Sequence, residues 1–235
     1  THTIDTEWET HHSEKRTFSV GGNAMYQINR NVPGTQRIPF IPNFRNLSGG
    51  LFATSKFFFS QWTLDAGLRY DHRNYAVKGF DFKNAQYEAS FNFNNLSASL
   101  GITHHATDEQ SIKLNASTAW RPPHVSELYS VGTHQSAAAI EYGLMLDPAT
   151  NEVRDIKEVA FAPEQAVKAV ASYEIKKERV RVNVSPYANY ILNYIYLRPG
   201  GITRNLRGVY PYFRYAQSDA LFIGADIDAA ILLHR

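Results

Sequence analysis

SIKLNASTAWRPPHVSELYSVGTHQSAAAIEYG, residues 111–143, decides how the chain is read. Ile112, Leu114, Ala116, Thr118 and Trp120 share one face of its first part, and Ser111, Lys113, Asn115, Ser117 and Arg121 share the other. A period of two with one apolar and one wet side predicts a strand. Pro122 and Pro123 have no N–H to give to a ladder, so pairing stops there. Beyond them runs a long excursion without alternation, carrying His124, Glu127, Tyr129, His134 and Glu141.

Working outward, the same pattern recurs along the chain. Strands are predicted over 3–12, 18–29, 47–58, 61–71, 87–102, 111–121, 167–176, 180–196, 210–216 and 220–233. The clearest is 180–196, where Val180, Val182, Val184, Pro186, Ala188, Tyr190, Leu192, Tyr194 and Tyr196 share a face. That exceeds the roughly five or six residues of an ordinary strand and suits one that crosses a bilayer and continues beyond it. Near Asn94 and Asn95 the apolar parity changes from Phe91 and Phe93 to Leu96, Ala98 and Leu100, which predicts a β-bulge or two separate short strands.

Connections alternate in length. Short turns are expected near residues 13, 60, 108, 178 and 218, and long loops over 31–43, 76–86, 122–164 and 198–208. Transmembrane barrels sort their loops this way, with short turns at the periplasmic end and long loops outside. The fold class read from this pattern is all-β, an antiparallel transmembrane β-barrel with about ten strands in this chain. Arg69, Asp71, Asn115, Arg121, Lys168, Glu174, Arg181, Asn183, Asp226 and Asp228 would point inward. So many charges need a wide interior that holds water or a plug.

Composition narrows the function classes. The chain has 235 residues, a net charge of +2 and no cysteine, so disulfides, thiolate metal sites and cysteine nucleophiles are excluded. No basic stripe interleaved with stacking aromatics points to nucleic acid. Aromatics make up 13% of the residues while the mean hydropathy is −0.37, and no apolar run approaches the roughly 18 residues of a membrane helix. There is no nucleophile elbow and no phosphate-cradling glycine loop, so no enzyme is read here. The first residues, THTIDTEWET, are polar and read as an internal start; the alternating run into His234 and Arg235 reads as an internal end.

Five segments carry a family resemblance: TLDAGLRYDHR (63–73), AWRPPHVSELYSVGTHQSAAAIEYG (119–143), PEQAVKAVASYE (163–174), PYANYILNYIYL (186–197) and ALFIGADIDA (220–229). In order and spacing they resemble successive barrel segments of TonB-dependent outer-membrane receptors. GLRYD and the R-x-P-x-x-x-E-L-Y junction are the more specific parts. The resemblance implies a 22-stranded barrel in the outer membrane of a Gram-negative bacterium. It also implies a plug domain that couples to the TonB complex, contact with outer-membrane lipid, and uptake of a metal or metal complex. Residues 1–235 would then be a middle-to-late part of the barrel domain, with the plug and the C-terminal strands outside it. The loop after Ser126 resembles a branch that includes zinc-uptake receptors, although His134 stands alone where that branch often pairs histidines. The N-P-N-L signature of haem receptors is absent.

His124, Glu127, His134 and Glu141 are the candidate metal-capture set, since imidazole and carboxylate suit zinc. Arg121 and Tyr129 are the candidate cargo contacts. The plainer reading is a polar loop with some His and Glu, and an Arg121 paired to a lumen carboxylate. His11, His12, His104 and His105 lie by short turns and read as interfacial or solvated, and Asp226 and Asp228 as ion-paired lumen acids. No resident cofactor is expected; a metal ion or chelate would be cargo. The reading is a receptor and transporter for a ferric-siderophore, haem or zinc. The alternative is a complete small outer-membrane barrel acting as an adhesin or membrane-embedded hydrolase, which requires the sheet to close on itself.

Overall fold

Strands that alternate over ten or more residues can only be satisfied by neighbours of equal length, and they find them in one sheet. A computed structural model describes residues 1–13, 15–32, 34, 38–81, 83–134, 138–147, 149–150, 152–205 and 208–233. The expected loop breaker Pro33, the side chain of His12, and the terminal His234 and Arg235 lie outside the described residues. Six long strands come first: β1 (His2–Ser13), β2 (Arg16–Asn29), β3 (Asn43–Phe59), β4 (Trp62–Phe80), β5 (Gln86–Thr107) and β6 (Gln110–Arg121). A short helix α1 (Val125–Tyr129) and a hairpin, β7 (Val131–His134) and β8 (Ala139–Tyr142), interrupt them. Then β9 (Glu164–Lys176), β10 (Val180–Asn205) and β11 (Gly208–Ile231) complete the sheet.

The order is β1-β2-β3-β4-β5-β6-β9-β10-β11-β8-β7, and every pairing is antiparallel except that of β8 on β11. β1 and β11 do not pair among the described residues, so the sheet is open. The closure that a complete small barrel required is therefore not met.

One face is apolar and bare: Leu51, Tyr70 and Leu96 lie side by side in register, as do Trp8 and Val20, and all are exposed. This is the outer face. The inner face carries Asn23, Gly50, Asp71 and Asn95 in one row, and Arg69 places its guanidinium on Asp71 and Asn23. Nearer the long-loop end the inner face turns aromatic. There Phe44, Tyr75, Val77, Phe91 and Phe93 pack against Val125, Leu128, Tyr129 and Met145 of the excursion.

Several expectations are corrected. Among the described residues the sheet has eleven strands, nine of them long, against the ten expected; residues 217–219 are no turn, because β11 runs through them. What lies opposite is a bulge in β10 between Ile191 and Tyr194, where Asn193 takes a positive φ of 56° and its N–H donates to Asp219. The breaker-rich 198–208 stretch is likewise strand to Asn205, its Pro-Gly-Gly forming a second bulge with Gly201 at φ +125°. The 76–86 loop shrinks to 81–85 because β4 and β5 extend into it.

The parity change at Asn94 and Asn95 is no bulge and no break, since β4 and β5 pair in unbroken register past it. Phe91 and Phe93 stay on the inner face, which is apolar there only because the excursion covers it. Trp120 also leaves the face its parity assigned: it packs against the inner core and its indole N–H donates to Asp71 at 3.3 Å. The β5 to β6 ladder ends at Ser99 and Ser117, so Trp120 sits where the strands have parted.

Candidate functional site

Residues 122–164 were expected to form a long loop at the outer end of the barrel, without strand-like alternation. Among the described residues of this stretch, a helix and a hairpin form, and Val125, Leu128, Tyr129 and Met145 pack on the inner wall. Pro122 and Pro123 end β6, and His124 then caps α1. The His124 Nδ1 accepts the Ser126 N–H at 3.2 Å, while Glu127 accepts the His124 N–H at 2.7 Å, a reciprocal capping box built with an imidazole. The helix has only five residues, too few to persist alone. Burial of Val125, Leu128 and Tyr129 holds it.

The Glu127 carboxylate has a second partner. Both its oxygens take the Arg121 Nη1 at 2.8 Å, and the Nε and Nη2 of Arg121 reach Glu164 at 2.8 and 2.7 Å. Glu164 also accepts the Ile195 N–H at 2.7 Å. One guanidinium thus joins the end of β6, the first turn of α1, the start of β9 and, through Glu164, β10. The excursion leaves and re-enters the sheet at directly opposed residues, Arg121 and Glu164. Arg121 and the neighbouring backbone N–H of Ile195 hold the Glu164 carboxyl below its ordinary range against the opposing effect of burial.

The second half of the site is the β7–β8 hairpin. β8 lies parallel to β11, with Ile140, Glu141 and Tyr142 opposite Tyr212, Phe213 and Arg214. Glu141 is buried; it bonds His134 Nδ1 at 2.7 Å and accepts the Tyr215 hydroxyl at 3.4 Å. Phe40 stacks on the His134 ring with centroids 5.5 Å apart, and the Arg214 guanidinium lies 4.5 Å from the centre of the Tyr142 ring. His134 keeps about half its side chain exposed.

The four candidate metal ligands are therefore brought together as two pairs, not as one set. His124 and Glu127 cap a helix, and His134 and Glu141 brace a hairpin. No group of three or more metal-ligating side chains forms among the described residues. Burial holds the His124 pKa below its ordinary value, with Arg73 and Arg121 acting in the same direction and Glu127 against them. Tyr129 is 2% exposed and stacks on Tyr87, so it is a core residue that burial keeps un-ionised. Arg121 has its donors committed to two carboxylates.

The remaining expectations divide. His104 stacks on Trp62 at 4.2 Å beside a short turn, and His11 sits 3.1 Å from Glu9. Asp226 and Asp228 were expected to be ion-paired, yet they face Ser185 and Asn183 across the ladder, with no cation in ion-pair range among the described residues. They lie on β11 below Tyr215, where that strand is open on one side among the described residues. Glu164 and Tyr215 were not picked out from sequence. Glu164 had a usable signal, an acid beside Pro163 at the re-entry point of an excursion that begins at a basic residue beside prolines.

Comparison with known proteins gives three results. The family model described as TonB dependent receptor-like, beta-barrel matches residues 1–230. No curated protein matches the chain. Among solved structures, the copper transporter OprC superposes with a TM-score of 0.71 at 14% identity over 99% of this chain and 36% of its own. A double mutant of the Serratia marcescens hemophore receptor HasR, in complex with its hemophore HasA and heme, gives 0.67 at 16% identity over 97% and 38%. The ferric-catecholate import receptor Fiu from K12 E. coli gives 0.59 at 13% identity over 99% and 35%. At these identities the likeness is one of fold. The chain spans between a third and two fifths of the length of each of these three structures.

Proposed function

The chain belongs to the TonB-dependent receptor-like β-barrel family, whose members are transport receptors of the Gram-negative outer membrane and not enzymes, and from that we propose a receptor that imports a metal held in an organic chelate, of the ferric-siderophore or haem class. The nine long strands form one side of a larger barrel in the outer membrane. Further strands close it, a plug fills it, and the TonB complex supplies the work. The open sheet and the fraction of each solved structure covered support this reading.

The observation that carries the choice of cargo is the splitting of the four candidate ligands. His124 spends its Nδ1 on a helix cap and Glu127 spends its carboxylate on Arg121, so a bare zinc ion finds at most His134 and Glu141 in this segment. A chelate needs fewer protein ligands, because it brings its own. It is recognised by aromatic faces and hydrogen bonds, and Phe40, His134 and Tyr215 supply those around the hairpin.

The test is calorimetry on the receptor in detergent with zinc chloride, a ferric tris-catecholate and haemin, for the parent and for H124A, H134A and E141A. A chelate that binds, and binds more weakly in H134A and E141A, supports the proposal. Zinc binding that weakens in all three variants would refute it and restore the four-residue metal site.

A further inference from the structure

The outer face of β2 to β5 changes character toward the long-loop end in register-defined rows. Leu51, Tyr70 and Leu96 form an apolar row. Above it comes His72 with Asn94, whose carboxamide oxygen meets both the Tyr70 hydroxyl at 2.7 Å and His72 Nδ1 at 2.9 Å. Asn74 and Asn92 come next, bonded at 2.9 Å, beside Leu47 and Tyr26. Ile28, opposite Arg45, is 41% exposed and Leu47 is 54% exposed, so the apolar face on β2 and β3 reaches right up to that arginine. A tyrosine-edged apolar belt giving way to amides and then to cations is the layering of a lipid interface.

Just beyond the belt, Arg30, Arg45 and Lys78 line one cleft of about 820 Å³ with Asn29, Asn31, Asn43 and Glu88. Lys78 is paired with Glu88 at 2.7 Å. Arg30 and Arg45 have no carboxylate in ion-pair range among the described residues, so three cations face one acid. The chain around Arg30 is fixed: Asn29 donates to the Pro42 carbonyl at 3.0 Å, and Asn31 donates to the Ile41 carbonyl at 2.9 Å and from its N–H to Asn43 at 2.7 Å. The cleft therefore holds surplus positive charge on a braced backbone, on the opposite side of the sheet from α1 and the hairpin. Imported cargo held at the inner wall does not pass it.

We propose that Arg30 and Arg45, with Lys78 at their flank, hold the phosphate group of a phosphorylated outer-leaflet lipid whose acyl chains lie along Ile28, Leu47 and Leu51. Guanidinium forks match phosphate oxygens, and a lipid brings the apolar tail that the row beneath them needs. The proposal rests on the outer face being lipid-bound, and is independent of the cargo.

The receptor is reconstituted into phosphatidylcholine nanodiscs containing trace fluorescent diphosphorylated lipid A, and lipid retention is read by energy transfer from the tryptophans. Retention of lipid A over phosphatidylcholine is expected, weakened about fivefold by R30Q or R45Q alone and more in the double variant. Arg181→Gln, on the inner wall, is expected to leave it unchanged, and millimolar inorganic phosphate is expected not to displace it. Equal retention in R30Q and R45Q, an equal loss in R181Q, or displacement by free phosphate overturns the proposal while the membrane reading stands. A receptor that does not enter bilayers at all overturns both.

Discussion

Arg121 and Glu164 face each other across the β6–β9 ladder and are joined at two points, Nε to Oε2 at 2.8 Å and Nη2 to Oε1 at 2.7 Å. The pair closes the neck of the 122–163 excursion. Its geometry is the fork-to-fork arrangement in which an arginine is worth most. Glu164 is nearly buried while Arg121 is 44% exposed, so water weakens the pair without dissolving it.

Arg121→Ala should therefore cost more than an ordinary surface pair and less than a fully buried one, about 1–3 kcal/mol. The loss comes chiefly from leaving Glu164 and Glu127 without a cation. Urea unfolding in detergent for R121A, E164Q and the double variant R121A/E164Q checks this. The double should lose less than the sum of the singles, since removing the acid relieves the charge that R121A strands.

The cap on α1 should respond to pH. Burial holds the His124 pKa below its ordinary 6.5, and the neutral ring is the form that accepts the Ser126 N–H. Between the lowered value and about 6.5 the unfolded segment binds a proton that the folded one refuses, so stability is complete above pH ~6.5 and falls as pH drops through that window. The protection of the Ser126 and Glu127 amides, taken relative to the intrinsic exchange rate at each pH, should fall between pH 7.5 and pH 5.5. His124→Asn keeps a capping side chain without a titrating ring and should abolish that fall. An unchanged pH response in that variant would assign it to another group.

Gly143 should tolerate no side chain. A Cβ there would meet the Leu128 carbonyl and the Tyr129 nitrogen, which are backbone atoms and cannot rotate aside. Gly143→Ala is expected to separate the hairpin from α1 at a cost of roughly 1–3 kcal/mol, the usual range for overpacking. Limited proteolysis between residues 144 and 160 should speed up in this variant, whereas Gly132→Ala, which meets no neighbour but has φ +116°, should be strained locally and leave that cleavage unchanged.

Leu128→Ala empties a fully buried position between the helix and the aromatic inner wall. A loss of about 2–5 kcal/mol is expected for such a truncation. Because the long strands pair independently of Leu128, the loss should fall on the excursion: heat-modifiable gel mobility of the barrel unchanged, with faster exchange at Met145 and Tyr129.

The wall was legible in sequence because period-two alternation is a local property, and Leu51, Leu68 and Ile223 lie outward as their parity requires. Where alternation misled, a non-local contact was responsible. Phe91 and Phe93 looked like a change of face because nothing in β5 announces that Leu128 and Tyr129 will cover them. Gln217, Ser218 and Asp219 looked like a turn because the bulge that accommodates them is in the partner strand. In the site, residue types were readable and partners were not. Of the two acids that Arg121 meets, Glu164 lies 43 residues away, and the capping role of His124 needed the helix to exist first.

β8 occupies the free edge of β11 at Tyr212, Phe213 and Arg214, while β11 from Tyr215 to its end is open on that side among the described residues. A strand zipping onto β11 from the Ile231 end therefore runs out of track at Tyr215. The rim of the wall is notched there, with the β10–β11 hairpin standing as a tower beside a low sill. The sill is floored by the β7–β8 hairpin, on which Phe40 stacks against His134.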